Sequence, residues 1–309
     1  MEIEITDEPL RNWIKSYFAI DHITSAIRPF MKQLFEDKFQ ENVRKVKKKS
    51  NLMNIYECNS CDPDKVKPYH AMSGQCSFPR KRGRCNCAKE NTIPCPAINA
   101  CGMLYDIMTM EHIMEEPIWS NSNYEQLSTR ACEQMKCYIS CTGYRDVSNV
   151  DQMELTAFFQ ICTNNTILRR TLDDDDIRML EQVKNDHREI VGSTDASADK
   201  FKKYVSNINV LLDYDTCIVD RDYFISMELK KLEDDKVKIT ICEEIHYIKK
   251  ALYAISKAKA ELQDESEGDS GDQIRLLETV ESMQRRRLQQ QTEVFIQELL
   301  RAGARYQPG

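Results

Sequence analysis

At 309 residues with 41% hydrophobic side chains, the chain is long enough to bury one large core or two small ones, which excludes general disorder. Charged residues make up 30%, with only nine Gly and nine Pro; this suits helices joined by short connections and not a β-sandwich, so the predicted fold class is all-α. The net charge of −7 argues against a dedicated nucleic-acid binder, although basic runs at 44–49 and 80–84 and acidic clusters at 173–176 and 264–269 leave local patches.

Apolar runs reach only a few residues, against the roughly 20 that a membrane-spanning helix needs. The opening MEIEITDEPL is acidic where an export signal would be basic and then apolar. No membrane partner is expected, and the predicted location is cytoplasmic or nuclear. In such a reducing compartment the thirteen cysteines are thiols or metal ligands, and their odd number leaves one outside any complete disulfide pairing. The sequon Asn164-Asn165-Thr166 then reads as chance.

Along the chain, Leu10, Trp13, Ile14, Tyr17, Ile20, Ile23, Ile27, Phe30, Met31 and Leu34 recur at helical steps. Thr6 or Asp7 can cap that helix, and Pro29 predicts either two helices meeting near Ile27 or one kinked there. From 51 to 96 no helical period survives, and so long a loop needs a clamp. Helical stripes return at Ile98–Ile113, at Met135–Ile139 ending in the turn Thr142-Gly143-Tyr144, at Val150–Ile161 with Ser148 and Asp151 placed like a capping box, at Ile177–Ile190 behind four aspartates, and at Phe201–Leu212. Ile241, Ile245, Ile248, Leu252 and Ile255 form a short heptad seam, with the alternation Val237–Ile241 also compatible with a strand. The acidic stretch 264–272 reads as a flexible linker before a final Gln- and Arg-rich helix around Ile274–Leu299, whose drifting register does not support a long coiled coil.

The main chemical signal is Cys58-x-x-Cys61 with Cys76, Cys85 and Cys87, and His70 between them. Tetrahedral Zn²⁺ needs four soft ligands and a CxxC turn supplies two, so zinc is the candidate cofactor; no second CxxC is present, and unligated thiols are the other reading. Cys132, Cys137, Cys141 and Cys162 suit core filling at helical positions. Arg80, Lys81, Arg82 and Arg84 could contact phosphates, but no aromatic residues interleave with them to stack on bases. His187 falls on an apolar stripe and reads as a core histidine. Phosphate-loop, dinucleotide, hydrolase-elbow and zincin motifs are absent from the sequence.

The segments Cys95-Pro-Ala-Ile-Asn-Ala-Cys-Gly, Pro117-Ile-Trp119-Ser-Asn, Met135-Lys-Cys-Tyr-Ile-Ser-Cys-Thr-Gly-Tyr-Arg-Asp146 and Val183-Lys-Asn-Asp-His187, with Ile27-Arg-Pro-Phe30 ahead of them, resemble the HEPN-like helical module of expanded invertebrate protein sets related to the HEPN region of a DAZ-interacting ubiquitin ligase. The resemblance covers roughly 8–40 and 95–215. It implies a HEPN-like helical bundle with an irregular cysteine-rich loop and C-terminal amphipathic helices. Ribonuclease members of that family carry an Arg, four to six residues and then a His, and no histidine of this chain has an Arg at that spacing. Lys184, Asn185 and His187 stand in the degenerate motif region, with Val191 and Gly192 where the His would fall, so the resemblance implies no ribonuclease and no other enzyme.

The expected organisation is therefore an N-terminal helical segment with a basic end (1–50), a basic cysteine-rich loop and candidate zinc clamp (51–95), a HEPN-like bundle (96–215) and C-terminal helices with the acidic linker (216–309). The expected function is a non-catalytic interaction or scaffold protein in invertebrate innate-immune or stress signalling, with a protein partner or self-association. The rival expectation is an RNA-binding or RNA-processing protein of HEPN type, with RNA as partner.

Overall fold

The first apolar stripe of the sequence forms a single helix, α1 (Glu8–Ser50), that runs through Pro29. Asp7 caps it, its Oδ1 accepting the Leu10 N–H at 3.3 Å, as the sequence led us to expect. Of the two expectations at Pro29, separate helices are not formed. Pro29 lies on the exposed side while Ile27 and Met31 flanking it are buried, so the face that holds the helix in place is uninterrupted by the lost backbone donor.

The computed structural model describes residues 4–50, 58, 61, 100–113, 117–172, 174–213, 223–264 and 270–304. Among these residues nine further helices follow: α2 (Ala100–Glu111), α3 (Ala131–Lys136), α4 (Leu155–Asn164), α5 (Thr166–Arg169), α6 (Asp174–Val191), α7 (Ala198–Asp213), α8 (Tyr223–Glu233), α9 (Ile241–Asp264) and α10 (Ser270–Ala304). Among the described residues there is no strand, only the isolated bridges Glu4–Thr240 and His112–Asn165, so the fold is all-α and the alternation at Val237–Ile241 yields one bridge residue instead of a strand. No helix among them is long and apolar enough to cross a membrane. Of the predicted linker, residues 265–269 lie outside the described residues; Asp264 closes α9, while Gly271 and Asp272 belong to α10.

The chain forms two compact units, residues 1–27 with 178–309 and residues 28–177. In the first, Trp13 is buried and donates from Nε1 to the Ile190 carbonyl at 3.0 Å, while Tyr17 and Phe18 meet the ring of Tyr247 on α9 at 5.4 and 5.0 Å. Leu180, Val183, Phe201, Tyr204, Ile208, Ile248, Ala251 and Ile255 are also buried there, which is the apolar side of the amphipathic stripes read from the sequence.

The last helix is anchored by polar contacts as much as by apolar ones. Gln284 is buried and donates to the Ser193 carbonyl at 3.2 Å, and Arg287 reaches the fully buried Glu244 at 2.7 Å and the Thr194 carbonyl at 3.1 Å. Burial pushes the Glu244 carboxyl pKa up, against the opposing pull of Arg287.

Helix α8 ends on an Asp where glycine is usual. The Lys236 N–H donates to the Lys231 carbonyl at 3.0 Å and the Asp235 N–H to the Leu232 carbonyl at 3.3 Å, the paired bonds of a Schellman cap, with Asp235 at φ 55°. The Asp235 carboxylate is kept there by Arg11 at 2.8 Å and Lys15 at 2.5 Å, both on α1, and these two cations hold its pKa below the ordinary carboxylate range.

In the 28–177 unit, Asn121 ties a turn: its Nδ2 donates to the Ile139 and Cys141 carbonyls at 3.1 and 2.7 Å, and the Tyr144 N–H donates to its Oδ1 at 3.2 Å. Gly143 within this predicted turn has φ 97°, the left-handed region that a side chain would strain. The capping box expected from Ser148 and Asp151 is displaced by one residue. Asn149 caps the 3₁₀ turn Val150–Gln152, while Gln152 Oε1 accepts the Ser148 N–H at 2.8 Å.

The cap at Asp235 generates a ranked prediction. Asp235→Ala loses both ion pairs and strains the left-handed backbone, whereas Asp235→Gly loses only the ion pairs, so the Gly variant should be the more stable by about 1 kcal/mol in urea denaturation. Equal stabilities, or the reverse order, would contradict the cap.

Candidate metal centre

Three cysteines converge in the 28–177 unit. The Sγ atoms of Cys58, Cys61 and Cys101 all lie within 4.8 Å of one another, and all three residues are buried. Cys58 and Cys61 come from the CxxC segment, and Cys101 comes from α2, at the end of the helix opposite Glu111. Around a Zn²⁺ ion, Zn–S bonds of about 2.3 Å place tetrahedral sulfurs roughly 3.8 Å apart. The observed spacing is therefore close to that of a ligand set, and three thiols with no carboxylate among them suit a soft, thiophilic metal and not Ca²⁺ or Mg²⁺.

This arrangement adds a residue to the sequence expectation. Cys58 and Cys61 lie together as expected, and among the described residues their companion is Cys101, which the sequence analysis did not single out as a ligand. The cue was present: Cys101 follows the cysteine-rich stretch at the point where the helical period begins. Cys76, Cys85, Cys87 and His70 lie outside the described residues, as do Arg80, Lys81, Arg82 and Arg84.

Among the described residues, the second cysteine group makes no ligand set with the first. Cys132 is on α3, but Cys137 only caps that helix and Cys141 lies in the following turn, so the expected single helical register is not formed. All are buried: the Cys137 Sγ donates to the Gln134 carbonyl at 3.3 Å, the Cys141 Sγ lies 3.9 Å from Gln160 Oε1, and the Cys162 Sγ lies 3.9 Å from the Met31 sulfur. Burial pushes the Cys132 and Cys162 thiols up to about 12 and that of Cys137 well above its ordinary value, so these sulfurs stay protonated and serve packing.

Helix α2 is pinned at its far end by buried charge. Glu111, 9% exposed at its side chain, pairs at 2.9 Å with Lys38, 2% exposed, and at 2.9 Å with Lys45; Glu41 on α1 bridges the two lysines. A neighbouring pair, Lys136 and Glu133, is likewise buried at 2.9 Å, with Lys136 also donating to the Arg145 and Val147 carbonyls. Complete partnering of this kind makes burial of the charges tolerable.

The residues singled out by the HEPN-like resemblance, Lys184, Asn185 and His187, fall on α6 in the other unit. Asn185 is exposed, Lys184 and His187 are half-buried, and His187 lies on the side of Val183 and Ile190. Burial, reinforced by Lys250 and opposed by Asp21, lowers the His187 pKa to about 4, so the imidazole is neutral at physiological pH. Lys250 and Tyr247 both contact Asp21, Tyr247 donating at 3.1 Å.

With this geometry in hand, comparison with known proteins adds no relative: no protein-family model, no curated protein and no solved structure matches the chain.

A pH dependence follows from His187. Its folded pKa of about 4 lies below the ordinary 6.5, so protonation favours the unfolded chain; the contribution is whole above pH 6.5 and is lost as pH falls towards 4. His187→Gln should flatten the decline of melting temperature over that window relative to wild type. Parallel curves for the two proteins would contradict the assignment.

Proposed function

We propose that this protein is a non-catalytic helical interaction scaffold whose 28–177 unit is clamped by a structural Zn²⁺ on Cys58, Cys61 and Cys101. The observation that carries the reading is the convergence of three buried thiols from two separated segments of the chain. Zinc is the metal of choice because it takes sulfur ligands tetrahedrally, undergoes no redox change and contributes its binding energy directly to folding. The three described thiolates supply three of its four positions, and a fourth protein ligand closes a structural site.

Two observations favour a scaffold over an enzyme. The described ligand set consists of thiols alone, and His187, the histidine in the region resembling the HEPN motif, is neutral and half-buried beside a lysine. We place the protein in the cytoplasm or nucleus, with a protein partner or a second copy of itself, and in the innate-immune or stress-signalling setting that the HEPN-like resemblance implies. That setting rests on the resemblance alone.

Elemental analysis of the full-length protein tests the reading: we expect about one zinc per chain, lost from Cys101→Ser and from Cys58→Ser with Cys61→Ser. RNA should be neither cleaved nor shifted at low ionic strength. Stoichiometric zinc surviving those changes would move the metal elsewhere, and a salt-sensitive RNA shift would favour the RNA-binding alternative.

A further inference from the structure

Helix α2 is tied down very differently at its two ends. At the C-terminal end, Glu111 meets Lys38 and Lys45 of α1, the His112 ring stacks on Tyr138 at 5.4 Å, and the Ile113 N–H donates to the Asn164 carbonyl of α4 at 2.7 Å. At the N-terminal end, the thiol cluster brings Cys101 to Cys58 and Cys61, and one turn later the Tyr105 ring stacks on Trp119 at 4.9 Å. Leu104, Tyr105 and Met108 are buried between the two ends, so α2 is the helix through which α1, α4 and the 117–144 segment meet. Every one of these residues belongs to the 28–177 unit.

The other unit has its own anchors, none of which uses α2: Trp13 to Ile190, Asp235 to Arg11 and Lys15, Glu244 to Arg287, and Tyr247 to Asp21. Resting on the zinc reading above, we infer that the metal acts as a local folding ligand, so that order in the 28–177 unit follows the supply of a thiophilic metal while residues 178–304 stay folded without it. A ligand that binds only the folded site stabilises whatever must be folded to form that site. Here that is the N-terminal end of α2 and the elements attached to it. Loss of the metal leaves three thiols that no longer hold the CxxC segment against the helix, and opening then spreads through the Tyr105–Trp119 stack into 117–144. The ionic anchor at Glu111 and the unrelated anchors of the other unit are not broken by the same event. The consequence is a protein that presents or withdraws one unit's surface according to metal supply, with the other unit constant.

Hydrogen exchange read by mass spectrometry on the full-length, zinc-loaded protein tests this, before and after metal removal by a chelator and after readdition of Zn²⁺ or Mg²⁺. We expect amides in 100–113 and 117–144 to exchange faster by about tenfold or more on removal, with those in 198–213 and 241–264 unchanged. Zn²⁺ should restore protection and Mg²⁺ should not, and Cys101→Ser should show the unprotected pattern with zinc present. Bound metal whose removal leaves α2 protected, or whose removal exposes both units equally, overturns this inference alone. Absence of bound metal from the wild-type protein overturns the zinc reading with it.

Discussion

Two lysines buried on one helix fix where the rest of the chain must deliver its acids. Lys15 and Lys38 both lie on the inward side of α1, in different units, and neither can be left there without a carboxylate. Lys15 takes Asp235, the left-handed cap of α8; Lys38 takes Glu111, the last residue of α2, with Glu41 beside it. Each pairing sets the end of a helix that comes from far along the sequence. The backbone strain at Asp235 and the burial of Glu111 are intelligible only as answers to those two ammonium groups.

That dependence explains how the metal centre is positioned. Glu111 holds one end of α2 on α1, and Leu104 and Met108 seat the helix between its ends. The first turn of α2 then carries Cys101 to where Cys58 and Cys61 stand. A metal there would add a second attachment, at the end of α2 that the ion pairs do not hold. At Asn121 and at the paired Lys136 and Glu133, backbone carbonyls and an opposite charge take up the hydrogen-bonding capacity of buried polar groups.

Much of the helical architecture was legible from apolar periodicity. The stripes beginning at Leu10, Phe201 and Ile241 became α1, α7 and α9 because their buried positions recur at steps of three and four. Helix α8 was not foreseen: its described buried apolar positions are Ile225, Leu229 and Leu232, a short stripe, and it ends on Asp235 without the glycine that usually signals a stop. Pro29 suggested a break that the buried residues on either side of it override. At the metal centre, the CxxC pair was legible because both ligands are local. Cys101 was not, since sequence spacing carries no information about which distant helix will bring a third thiol to that pair.

The claim at the centre of this account is that Cys58, Cys61 and Cys101 bind one metal ion together. Loading the protein with Co²⁺ and recording the visible and near-ultraviolet spectrum tests it most directly, because thiolate-to-metal charge-transfer intensity scales with the number of sulfurs bound and the d–d bands report tetrahedral geometry. The account predicts a tetrahedral, sulfur-rich spectrum whose charge-transfer intensity falls in Cys101→Ser. A spectrum of octahedral oxygen ligation, or one that Cys101→Ser leaves unchanged, would contradict it.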